Sequence, residues 1–128
     1  MGYRSNLMVL IYPEAQAKLG EQAVYDQLKV LMATTFKRVV DEFGDPYMTW
    51  MDKEFVLKFD LPDVKWYPSY KDVQMFTAML ETFRSEEIAG YCTEFVRVGE
   101  ESDDTEERRT GDDNQYYLNV RRKIDCNV

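Results

Sequence analysis

The chain contains no histidine. That absence removes the commonest general base, the usual activator of a nucleophile and the commonest metal ligand. A Ser-His-Asp or Cys-His site is excluded within the chain, as is a Cys/His zinc site. Cysteine is scarce: Cys92 and Cys126 are too few for a Cys₄ zinc site or a disulfide framework, and buried free thiols are expected. No apolar run approaches the ~18 residues that a membrane-spanning helix requires. The segment Met1 to Tyr12 carries one arginine and a short apolar run, without the long apolar region and small-residue cleavage site of a signal peptide. The expected setting is a reducing cytoplasm. No catalytic motif surrounds any carboxylate, Lys, Tyr, Cys or Arg, so no catalytic residue, cofactor or metal ligand is assigned, and a binding role is expected.

What is present suffices for one domain spanning 1–128. Of the 128 residues, 45% are hydrophobic and 14% aromatic, enough for a single core. The net charge is −8 and unevenly spread. Glu100 to Asp113 holds eight acids (Glu100, Glu101, Asp103, Asp104, Glu106, Glu107, Asp112, Asp113) against Arg108 and Arg109. The rest of the chain is nearly neutral. An acidic chain is repelled by phosphate, which disfavours broad nucleic-acid binding and favours a protein partner with a basic surface.

The hydrophobic pattern predicts the elements. Asn6 to Tyr12, NLMVLIY, ends at Pro13 and reads as a buried central strand. From Glu21 to Phe43 apolar residues recur in steps of three and four, the mark of an amphipathic helix, and Gly44 ends it. Glu54 to Leu61 alternates like a half-buried strand, with Tyr47 to Met51 as a possible strand before it. Pro62-Asp63 interrupts, and Val64 to Tyr67 is a short extended piece that places Trp66 and Tyr67 on opposite faces. Ser69 and Asp72 resemble a capping box ahead of a helix from Tyr70 to Phe83. Tyr91 to Val98 and Tyr116 to Ile124 read as strands joined by a mobile acidic hairpin loop at 99–115, which has no apolar residue. The fold class is α+β: two helices on one face of a mainly antiparallel four- to five-stranded sheet, ferredoxin-like (βαββαβ) with an added C-terminal strand. The expected core includes Phe36, Val39, Leu57, Phe59, Phe76, Leu80, Phe95 and Leu118.

Two surfaces compete as the functional site. The eight acids can face a basic partner by electrostatic steering. Alternatively Trp66, Tyr67 and Tyr117, with Arg97 and Arg121, can stack and hold a nucleotide or RNA base, although the RNP1 pattern is missing. The acidic segment also lacks the EF-hand spacing.

Three segments carry a family resemblance: the start Met1-Gly2-Tyr3-Arg4-Ser5, the piece Val64-Lys65-Trp66-Tyr67-Pro68, and Phe95-Val96-Arg97-Val98-Gly99-Glu100-Glu101 running into Asp103-Asp104. Together they resemble a family of small uncharacterised bacteriophage proteins. The resemblance implies an accessory protein made in the host cytoplasm and assigns no catalytic residue. The function expected from both readings is a non-enzymatic protein that modulates a host or phage protein through an acidic surface, in an anti-defence or host-takeover role. The alternative is a small nucleotide- or RNA-binding domain.

Overall fold

The computed structural model describes residues 3–15, 20–101, 103–110, 118–120 and 124–126. The elements run β1 (Ser5–Pro13), α1 (Glu21–Ala33), α2 (Lys37–Phe43), β2 (Met48–Met51), β3 (Val56–Val64), α3 (Lys71–Arg84), β4 (Tyr91–Gly99), β5 (Thr105–Thr110), β6 (Leu118–Val120) and β7 (Ile124–Cys126). The apolar run in β1 sits at the centre, paired antiparallel with β3 and β4. Strand order is β2-β3-β1-β4-β5. Its first four strands follow the ferredoxin-like order, so the expected α+β class holds.

Alternation along the strands sorts the side chains into two layers. Leu7, Val9, Ile11, Leu57, Phe59, Leu61, Tyr91 and Phe95 face the helices, where Leu28, Val39, Phe76, Leu80 and Phe83 complete the main core. The opposite face carries Leu10, Tyr12, Val56, Cys92 and Val96, and Leu118 packs on it. Cys126 also packs on this second cluster, to which the buried Cys92 belongs.

Several expectations need correction. The helix expected over 21–43 is broken at Thr34–Phe36, giving three helices in all among the described residues. There the Thr34 hydroxyl donates to the Val30 carbonyl at 2.7 Å, offering the backbone an alternative to the helical ladder. The apolar spacing runs on through the break because both helices pack on the same core; Phe36 itself is only partly buried. The interruption at Pro62-Asp63 is a bulge inside β3, marked by the register shift between Ser5 and Leu7 and by Asp63 at φ 53°. The expected capping box is not formed: α3 begins after Tyr70 without a side-chain cap.

The largest correction concerns 99–115. Thr105–Thr110 is no loop; it is β5, the outer strand of the sheet. It takes the place expected for 116–124 beside β4, and Leu118–Val120 instead pairs with Ile124–Cys126 in a separate two-stranded sheet. Charge directs the β4–β5 pairing: Arg97 lies opposite Glu106, and Glu94 opposite Arg109. Opposite charges directly across an antiparallel pair are stabilising. Thr93 and Thr110, also opposite each other, share a hydroxyl hydrogen bond of 2.6 Å. Glu94 is fully buried and holds the small sheet in place, accepting from the Leu118 N–H at 3.0 Å and the Tyr12 hydroxyl at 2.9 Å.

Candidate ligand-binding cleft

A helix is about 10 Å wide and strands lie ~4.8 Å apart, so helices side by side cover fewer strands than a wide sheet contains. Here the helix-side core draws on β1 to β4 and on no residue of β5. The overhanging strand leaves a cleft of about 650 Å³, bounded by α3, the floor of β4 and β5, and the 66–68 connection. That volume falls within the range of small-molecule sites.

Each wall follows from a local pattern. Residues three and four apart share a helix face, and Val73, Thr77, Leu80, Glu81 and Arg84 accordingly line one side. Alternation on the strands turns Phe95 and Arg97 of β4, and Glu106 and Arg108 of β5, toward the same space. Trp66 and Tyr67 both line the cleft, contrary to the opposite-face expectation, because β3 ends at Val64 and the 65–67 piece is no strand. Trp66 packs against Phe43, Phe76 and Phe95 at ring-centroid distances of 6.0, 5.6 and 6.2 Å, so the core holds its indole in place.

The mouth is closed by a polar cluster. The Arg97 guanidinium donates to both Asp104 carboxylate oxygens at 2.8 and 3.1 Å, to Ser5 Oγ at 3.1 Å and to Glu106 at 3.4 Å. The Tyr3 hydroxyl donates to Asp104 and accepts the Glu101 N–H, while the Tyr3 N–H donates to the Tyr67 hydroxyl. The Arg4 N–H donates to Glu100 at 2.8 Å. Arg97, then Tyr3, hold the Asp104 carboxyl down at about 2. The same contacts raise Arg97 and Tyr3, each chiefly through its hydrogen bond with Asp104. Gly99 is required here: a Cβ would collide with the Asp104 carboxylate and the Tyr3 hydroxyl.

Residues from three segments distant in sequence, 1–5, 64–68 and 95–104, therefore meet at one place. Tyr3 and Ser5 come from the first, Trp66 and Tyr67 from the second, and Arg97, Gly99 and Asp104 from the third.

The eight acids are divided. Asp104 and Glu106 line the cleft and serve as internal acceptors. Glu107 points to the other face of β5, 3.3 Å from Arg109. Glu100, Glu101 and Asp103 are exposed at the β4–β5 turn. Of the alternative set, Trp66, Tyr67 and Arg97 come together. Asp112, Asp113, Tyr117 and Arg121 lie outside the described residues. Tyr3, Arg84 and Arg108 were not singled out from the sequence; the spacing from Thr77 through Glu81 to Arg84 and the charge complementarity of β4 with β5 are the signals that point to them.

Among the described residues no group of three or more carboxylates or cysteines could hold a metal ion, and no helix is long and apolar enough to cross a membrane. Comparison with protein-family models, with curated proteins and with solved structures finds no match to this chain.

Proposed function

We propose that the protein is a small-ligand binding domain whose site is the cleft between α3 and the β4–β5 hairpin, and that its ligand carries a flat ring, a nucleotide being the representative chemistry. The observation that carries this reading is the convergence of Trp66, Tyr67 and Phe95 with Arg84, Arg97 and Arg108 around one cleft of about 650 Å³. An apolar, aromatic lining with a few converging polar groups is the usual make-up of a small-molecule site. Aromatic faces supply stacking that tolerates many rings.

The test is a heteronuclear NMR titration of the Trp50→Phe variant. Trp50 sits on β2, at the opposite edge of the sheet, so its replacement leaves Trp66 as the single indole reporter. Four probes are used: adenosine, adenosine monophosphate, indole and indoleacetate. Saturable shifts of the Trp66 indole N–H, together with Thr77 and Phe95 amides, are expected for at least one. Absence of any saturable shift with all four overturns the reading.

A second reading keeps the acidic surface, in a phage accessory protein that modulates a basic-surfaced host or phage protein. Exposure of Glu101 and Asp103 at the β4–β5 turn favours it. Glu101→Gln with Asp103→Asn should then slow association with a basic protein captured on the wild-type chain, with no change at Trp66. An unchanged association rate at low salt removes this reading.

A further inference from the structure

We infer that the ligand of the cleft bears an oxyanion, a phosphate or a carboxylate, and that Arg84 and Arg108 hold it. This rests on the cleft being a ligand site.

The charged groups of the cleft are equal in number, Arg84, Arg97 and Arg108 against Glu81, Asp104 and Glu106. What separates them is which donors are already used. Arg97 is engaged by Asp104, Ser5 and Glu106, so it positions the mouth and has little left to offer a ligand. Asp104 is committed to Arg97 and Tyr3. Glu106 is shared between Arg97 and Arg108, at 3.4 and 3.0 Å.

Arg84 stands apart. It occupies the last turn of α3, with its side chain only 14% exposed. Its Nε is buried without a hydrogen-bond partner, its ion pair with Glu81, which is 66% exposed, spans 3.9 Å, and the other acid whose charge reaches it, Glu106, is already paired with Arg97 and Arg108. A guanidinium carries five donors in a fixed fork, and a buried donor left unmade is costly. Burial, and next the charge of Arg108, lower the Arg84 pKa. Arg108 therefore acts on Arg84 from across the cleft; its side chain is 59% exposed, and only its Nε is used in the 3.0 Å ion pair with Glu106. An oxyanion between the two guanidiniums would give the Arg84 guanidinium, whose Nε is unpaired within the fold, a counter-charge and relieve the repulsion between the two arginines; paired guanidinium donors bind phosphate and carboxylate well. The ring attached to that oxyanion would then lie toward Trp66 and Tyr67, the apolar end of the same cleft.

The same titration, on the full chain with Trp50→Phe, tests the inference by comparing each neutral probe with its anionic partner. The anionic member of at least one pair should bind about tenfold tighter, the effect of one charge-assisted hydrogen bond. A gain for adenosine monophosphate alone identifies phosphate; a gain for indoleacetate alone identifies carboxylate. Arg84→Met should bring the ratio of anionic to neutral affinity close to one, and Arg108→Met should reduce the ratio less. Arg84→Gln supplies the same readout if the Met variant does not fold. If the neutral probes bind and charge brings no gain, or if Arg84→Met and Arg84→Gln keep the preference, this inference is overturned and the cleft reading stands. If none of the four probes binds, both fall.

Discussion

Replacing Glu94 should unseat the small β6–β7 sheet and cost the fold a large share of its stability. The Glu94 carboxylate is fully buried. It accepts from the Leu118 N–H at 3.0 Å and the Tyr12 hydroxyl at 2.9 Å, and Arg109 Nε lies 3.7 Å away. Glu94→Ala leaves the Leu118 N–H, on a fully buried residue, without this acceptor. A buried donor so stranded costs about 1–3 kcal/mol. Removing one partner of a buried ion pair costs about 3–5 kcal/mol. Because Arg109 keeps Glu107 at 3.3 Å and the Leu118 carbonyl at 2.9 Å, the two costs overlap. The expected loss is about 3–5 kcal/mol, a fifth or more of the roughly 5–15 kcal/mol that holds a typical domain together. Glu94→Gln keeps one acceptor oxygen for the Leu118 N–H, loses the charge, and sets an NH2 where the Tyr12 hydroxyl donated, so that this hydroxyl must turn to accept; it should cost roughly 1–2 kcal/mol. Urea unfolding followed by circular dichroism measures both. A loss below about 1 kcal/mol for Glu94→Ala, or equal losses for Ala and Gln, would refute the reasoning. Arg109→Met combined with Glu94→Ala should fall short of additivity, since the two share a contact.

Three further outcomes follow from the cleft and its mouth. Gly99→Ala should cost about 1–3 kcal/mol by overpacking, because the added methyl displaces the Asp104 carboxylate from Tyr3; a melting temperature equal to wild type would contradict this. Asp104 titrates at about 2 in the fold, below the roughly 3.9 of an unfolded aspartate. Its contribution is therefore complete above about pH 4 and lost as pH falls through about 2. Asp104→Asn should flatten the fall in stability across that window, and an unaltered acid profile would argue against the Arg97–Asp104 contact. Arg84→Met should leave the melting temperature unchanged or raise it, since the substitution removes a buried unpaired Nε and only an ion pair to a largely exposed glutamate; a marked loss of stability would show that the guanidinium is satisfied within the fold.

The layer architecture was legible in the chain because burial imposes a period. The run in β1, the alternation of Leu57, Phe59 and Leu61, and the helical spacing of Val73, Phe76, Leu80 and Phe83 each state which side faces the core. Apolar periodicity is silent where no apolar residue is used. Thr105–Thr110, TEERRT, carries no such residue, so it read as loop. It is a strand because Glu106 and Arg109 meet opposite charges on β4, a pairing that depends on two distant segments finding one register. For the same reason the acids seemed to form one surface, although alternation on β5 sends Glu106 into the cleft and Glu107 to the opposite face. The break at Thr34–Phe36 was hidden because the apolar spacing continues through it.

Composition by itself removed histidine chemistry and concentrated acid in one segment, since those are properties of residue counts. It also placed Trp66, Tyr67 and Arg97 among the residues of interest. Which guanidinium is saturated and which is open was decided only by the tertiary structure. Arg97 and Arg84 are the same residue type, and along the chain nothing separates them. The fold surrounds Arg97 with Asp104, Ser5 and Glu106, while it buries Arg84 Nε against a cleft wall with no acceptor. Hydrogen-bond satisfaction is a property of three-dimensional neighbours, and sequence alone does not carry it.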